Sequence, residues 1–113
     1  MDALMQLVTV NSPAETGVIT MNFHHLKKSA LILRAVNHKL RQRLIKLIDE
    51  NERMTVTEMF SRLRLEQSVV SQHLAILRRA KIVDTEKESK FVYYSLNYER
   101  LKEVNDFIEG LID

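Results

Sequence analysis

Residues 66–96 read EQSVVSQHLAILRRAKIVDTEKESKFVYYSL, and two periodicities follow one another within them. From Glu66 to Ala80, Val70, Leu74 and Leu77 recur every three or four residues, which places them on one stripe of a helix and turns that stripe toward a core. Beyond Ala80, IVDTEKE and KFVYYSL are rich in β-branched and aromatic residues and flank a polar tip at Glu88 and Ser89. That is the signature of a two-stranded hairpin.

Working outward, the preceding stretch TVTEMFSRLRL opens with Thr55 and Glu58 at capping-box spacing. The hydroxyl accepts from the backbone amide three residues on while the carboxylate returns to the cap. A short third helix begins there, and only about two residues, Leu65 and Glu66, separate it from the fourth, the spacing of a helix-turn-helix. Further upstream, Leu40, Leu44, Leu47 and Ile48 mark a second helix from about Lys39 to Glu50, with Lys39, Arg41, Arg43 and Lys46 expected on its other, exposed faces. The run HHLKKSALILRAV gives a first helix from His24 to about Val36. A last helix covers about Tyr98 to Ile112 through Leu101, Val104, Ile108 and Leu111. The expected fold is mainly α with a small β-hairpin, a winged helix-turn-helix in the order α-α-α-α-β-β-α. Residues 1–22, which carry Pro13 and Gly17 and no sustained period, read as an N-terminal arm or poorly ordered lead-in, and residues 23–113 as the winged helix-turn-helix DNA-binding and dimerisation domain.

Composition narrows the class. A chain of 113 residues holds one domain. With no cysteine, disulfides, thiolate metal sites and redox switching are excluded, and the cytoplasm is the expected compartment. No apolar run reaches the roughly 18 residues that span a bilayer, and the start lacks the order of a signal peptide, so no membrane partner is expected. The net charge of +2 conceals segregation: residues 23–48 carry +7, residues 61–96 carry +3 and residues 97–113 carry −3. A basic middle beside an acidic end suits one face to phosphates. No nucleophile–base arrangement, Gly-rich phosphate loop or paired carboxylate set is present, so an enzyme is not expected.

Opposite the apolar stripe of the fourth helix lie Ser68, Gln72, Ala75 and Arg79, with Gln67 and Ser71 beside them. Gln pairs with an adenine edge, Ser donates to or accepts from bases and phosphates, and Arg79 neutralises phosphate. The plainer alternative is that Ser and Gln only solubilise an exposed helix. In the hairpin, Lys87 and Lys90 are the candidate phosphate contacts.

The segment SVVSQHLAILRRAKIV followed by KESKFVYYSL resembles the ArsR (ArsR/SmtB) family. Ser68, Ser71, His73, Leu74, Leu77, Ala80, Val83, Val92, Tyr94 and Leu96 fall on its pattern, and the Arg that leads a Leu-rich second helix is matched by Arg41 through Ile48. The similarity covers about residues 24–112. It implies a symmetric dimer in which each fourth helix enters a major groove and each wing lies near the backbone. It also implies repression of an operon until a signal arrives. It places His73 near DNA as well; from its position alone, His73 is equally a partly buried helix residue with one hydrogen bond.

Against the family pattern, Lys81 and Ser89 stand where glycine is usual, and Asp84, Glu86 and Glu88 interrupt the basic residues of the wing, where they would repel phosphate. Family members that respond to metals place Cys at the start of the third helix, or Asp, His and Glu on the fifth. The corresponding stretches here, MTVTEM and NYERLKEVNDFIEGLID, contain neither Cys nor His, so no metal or other cofactor is expected. The adjacent His24 and His25 point about 100° apart on a helix and suit joint ligation poorly.

The first and last helices carry more apolar surface than one small core consumes. Leu26, Ala30 and Leu33, with Leu101, Val104, Ile108 and Leu111, are the expected homodimer contact; alternatively these stripes close the monomer core. Three other functions stay open. One is a winged-helix protein-interaction module using the acidic wing, another is a regulator sensing a non-metal signal, and the third is RNA binding. The basic second helix hints at RNA, but aromatic stacking platforms are lacking.

Overall fold

The computed structural model describes residues 7–13 and 17–113, in two compact units, residues 1–33 and 34–113. In the first unit, β1 (Leu7–Asn11) and β2 (Val18–Asn22) pair antiparallel, Leu7 opposite Asn22 and Asn11 opposite Val18. The Thr9 and Thr20 hydroxyls meet across the pair at 3.1 Å. Helix α1 (Phe23–Val36) follows β2 without a loop, and the Asn22 side chain accepts from the His25 backbone N–H at 3.1 Å. This hairpin stands where the sequence suggests an arm without a regular element. Val8 and Val10 share one face with Ile19 and Met21, and Thr9 shares the other with Thr20, but the alternation lasts only four residues in each strand and is broken by Leu7 and Val18, so it is a weak signal. The remainder of that expected arm, residues 1–6 and 14–16, lies outside the described residues.

In the second unit come α2 (Lys39–Asn51), β3 (Arg53–Met54), α3 (Val56–Leu63), α4 (Gln67–Arg79), β4 (Val83–Glu88), β5 (Phe91–Leu96) and α5 (Tyr98–Ile112). The order of five helices and the wing hairpin is the expected winged helix-turn-helix. The two-residue β3, invisible to any periodicity, adds to the hairpin and makes a sheet in the order β3-β5-β4.

Local chemistry sets the boundaries. The His38 imidazole caps α2, Thr55 and Glu58 form the capping box of α3, and Asn97 caps α5. Arg64 turns the chain out of α3 in a left-handed conformation (φ +55°) while Leu65 N–H bonds back to the Phe60 carbonyl at 3.0 Å. The link to α4 is therefore three residues, Arg64–Glu66.

The core is built from one stripe of each element: Leu44 and Ile48 of α2, Met54 of β3, Met59 of α3, Val70, Leu74 and Leu77 of α4, then Ile82, Val83 and Leu96. Helix α5 closes it with Val104. Two ties hold α5 in place: the Arg100 Nε donates to the Ala80 carbonyl at 3.0 Å, and the Tyr98 hydroxyl donates to Asp49. Arg41, expected on the exposed basic side of α2, is instead buried at 6% exposure. Lys39, Arg43 and Lys46 are exposed as expected.

Both positions where a glycine is missing adopt left-handed backbone. Lys81 has φ +63° at the end of α4, and Ser89 has φ +59° as the first residue of the two-residue wing turn. A side chain there costs about 1–2 kcal/mol, partly offset because glycine loses more freedom on folding. Lys81→Gly is expected to raise stability by roughly 0.5–1 kcal/mol in urea denaturation; an unchanged or lower midpoint would show that this backbone carries no strain.

Candidate nucleic-acid interface

Because Val70, Leu74 and Leu77 of α4 point into the core, the opposite side of the same helix is obliged to face out. Gln67, Ser68, Gln72, Ala75, Arg78 and Arg79 are exposed and Ser71 is half-buried. Among the described residues, the polar members of this set form no side-chain hydrogen bond or ion pair within the chain. Their donors and acceptors are thus available to an external partner. The amide and hydroxyl groups cluster in the N-terminal half, and the two guanidinium groups in the last turn.

A shallow groove runs beside this face, lined by Ser71, Ala75, Arg78, Arg79 and Tyr94. It brings in Arg78, which the sequence did not single out, and Tyr94, which falls on the family pattern but was not expected at the interface. Ser71, Ala75 and Arg78 stand at i, i+4 and i+7, so the helical stripe beside the one chosen was legible. That Tyr94 of β5 would complete it depended on how the sheet packs.

The wing separates its charges by register. Glu88 pairs with Phe91, Glu86 with Tyr93 and Asp84 with Ser95, while Lys87 pairs with Val92 and Thr85 with Tyr94. Successive side chains alternate between faces. All three carboxylates therefore lie on the face that carries Phe91 and Tyr93. Lys87 lies on the other face, with Tyr94 and the buried Val83 and Leu96. Arg53 of β3, opposite Ser95, joins the acidic face. There it forms an ion pair with Glu88, and its guanidinium stacks 4.0 Å from the Tyr93 ring centroid. An exposed pair of this kind adds little stability, but it offsets the charge of the carboxylate nearest the tip. At the tip Lys90 is exposed, its ammonium 5.6 Å from the Phe91 ring centroid.

His73 does not join the outward set. Its Nδ1 accepts from the Arg41 guanidinium at 3.1 Å, and its ring lies 4.8 Å from that of His38. Burial first, then the charges of His38 and Arg41, push its pKa below the ordinary imidazole value. The same guanidinium donates to the Ala35 carbonyl at 2.7 Å and the Arg34 carbonyl at 2.9 Å. Arg41 thus fastens the end of α1 and the start of α2 to the middle of α4, and His73 positions that helix.

Of the residues expected at a dimer contact, Leu26 and Ala30 of α1 are exposed and Leu33 half-buried. On α5, Val104 faces inward to the core at 9% exposure and Leu101 and Ile108 are half-buried; Leu111 is 71% exposed, beside Phe107 and Ile112. Val104 thus packs in the core of the chain, and the exposed apolar residues in the last turns of α5 are Phe107, Leu111 and Ile112. Among the described residues no three His, Cys, Asp or Glu side chains converge to hold a metal ion, and no helix is long and apolar enough to cross a membrane.

A family model described as bacterial regulatory protein, arsR family, matches residues 38–85, from the α2 cap into β4. The transcriptional activator HlyU of Vibrio cholerae is 35% identical over 95 residues, 80% of this chain and 87% of its own. The transcriptional repressor PagR of Bacillus anthracis is 28% identical over 92 residues, 81% of this chain and 85% of its own. The solved structure of HlyU superposes with a TM-score of 0.59 at 37% identity, covering 77% of this chain and 90% of that one. The PagR crystal structure gives 0.60 at 28% identity, covering 80% and 99%.

Lysine at position 41 offers one nitrogen where arginine offers three. Arg41→Lys is therefore expected to cost roughly 2–4 kcal/mol in denaturant unfolding, from buried acceptors left without donors. A loss below about 0.5 kcal/mol would mean that the three bonds do not hold the helices together.

Proposed function

Since the chain belongs to the arsR family of bacterial regulatory proteins, we propose that it is a sequence-specific double-stranded-DNA-binding transcriptional regulator that acts as a homodimer on a pseudo-palindromic operator. One observation carries this reading. Helix α4 is held out by a tight turn, and among the described residues the amides, hydroxyls and guanidinium groups of its outward face are all uncommitted. In the major groove, Gln67, Ser68, Ser71 and Gln72 meet base edges, and Arg78 and Arg79 meet phosphates. Lys87 and Lys90 reach the adjacent backbone from the wing, whose carboxylates are carried on the opposite face of the sheet from Lys87. His73 is assigned to positioning α4 rather than to base contact.

A second copy covers the apolar residues of α1 and α5, Leu26 and Ala30 with Phe107, Leu111 and Ile112, which otherwise remain in water. Two-fold pairing also pools the phosphate contacts of two weakly basic subunits. The relatives include both a named activator and a named repressor; repression is the direction that we propose. No sensing site for a metal is part of this reading. The exposed Asp84 and Glu86 on the outer wing face favour one competing reading, docking of a basic protein partner. That reading lacks the steep salt dependence of phosphate contacts.

Ser68→Ala and Gln72→Ala are each expected to weaken binding to the preferred duplex by roughly 1–3 kcal/mol while leaving nonspecific duplex binding nearly unchanged. Fluorescence anisotropy on both duplexes over a salt series checks this, and equal losses on the two would remove the base-reading role.

A further inference from the structure

Two imidazoles and one buried guanidinium meet where α1, α2 and α4 converge, and phosphate or base contact uses none of them. His38, solvent-exposed at the α2 cap, accepts the Leu40 backbone N–H on Nδ1 at 3.1 Å. His73 accepts Arg41 Nη1 on its own Nδ1 at 3.1 Å. A backbone N–H and a guanidinium only donate, so in each ring Nδ1 is the acceptor. The rings are 4.8 Å apart, tilted by 42°.

A proton on either Nδ1 turns an acceptor into a donor that faces another donor. On His73 it also sets a second positive charge against Arg41. The charges acting on His73 are those of His38, from the α2 cap, and Arg41, from α2 itself; no carboxylate from α3, α4 or the wing is among them. Its neighbours one turn away along α4, Val69, Val70, Ile76 and Leu77, are apolar. No carboxylate among these groups compensates an added charge.

We propose that His38, Arg41 and His73 form a proton-sensitive latch on α4. Neutral, the latch ties that helix to the α1–α2 junction; protonated, it releases the helix and lowers affinity for duplex DNA. The second half rests on the DNA-binding reading, and the first does not. The lowered pKa of His73 agrees in sign. Its contribution to stability is complete above the unfolded imidazole value, about 6.5, and is lost as pH falls through the lower folded value.

His38→Asn combined with His73→Asn tests this in the full chain. The asparagine Oδ1 stands near the position of Nδ1 and accepts from the same donors, asparagine is a good helix cap, and neither side chain titrates. Between about pH 7.5 and 5.5 the wild type is expected to lose duplex affinity by more than about threefold, at a temperature where circular dichroism shows it folded. The double variant is expected to change by less than about twofold. Tighter wild-type binding at the lower pH, as simple attraction of added charge to phosphate would produce, overturns the proposal, and so does an equal pH dependence in the variant.

Without DNA, the melting midpoint of the wild type is expected to fall further over the same pH range than that of the variant; equal falls overturn the latch. A larger wild-type fall with no duplex binding at any pH would support the latch and overturn the DNA-binding reading. Should the variant not fold, NMR titration of the wild type decides. Protonation of His73 accompanied by a shift of the Arg41 guanidinium resonances supports the latch, and His73 titrating with those resonances unmoved overturns it.

Discussion

The guanidinium of Arg41 is a buried cation, and the placement of α4 depends on how it is compensated. A cation taken out of water costs several kcal/mol unless its donors are matched. Here three acceptors meet them: the carbonyls of Ala35 and Arg34 and the Nδ1 of His73. Two of the three lie at the C-terminal end of α1, where the helix dipole already favours positive charge. The third lies on α4. Hydrogen bonding gives the contact direction, so the middle of α4 is tied to one point on the α1–α2 junction. The apolar packing of Val70, Leu74 and Leu77, by contrast, tolerates small rotations. The face that α4 turns outward follows from these two constraints together.

The wing shows a second economy of construction. A strand with alternating acids, VDTEKE, looks ill-suited to approach a polyanion when its charges are summed. Antiparallel pairing sorts them instead: Asp84, Glu86 and Glu88 share one face with Arg53 and Tyr93, and Lys87 shares the other with Tyr94. The two-residue β3 matters out of proportion to its length, because it delivers Arg53 to Glu88. Net charge along the chain and charge on a face are thus different quantities, and only the second meets a ligand.

The five helices and the wing were legible because each carries a local signal. These are the Thr55–Glu58 capping box, the Val70–Leu74–Leu77 stripe, and the β-branched and aromatic run from Phe91 to Leu96. The outward side chains of α4 follow from its stripe by geometry. What escaped depends on partners distant in sequence. β3 is too short to have a period, and in β1 and β2 the alternation lasts only four residues before Leu7 and Val18 break it. Arg41 sits in a run of basic residues that reads as a solvated face; its burial is decided by carbonyls on one helix and an imidazole on another. Val104 shares its apolar stripe with residues at the surface, and only packing distinguishes them.

Selection of bound sequences from a random duplex pool with the full chain decides whether α4 of a paired chain reads duplex DNA. An inverted repeat with half-site centres one helical turn apart, about 10–10.5 base pairs or a multiple of that, is expected to be enriched. Failure to enrich any sequence above the starting pool, or enrichment of an unpaired site without two-fold symmetry, would contradict that role of α4.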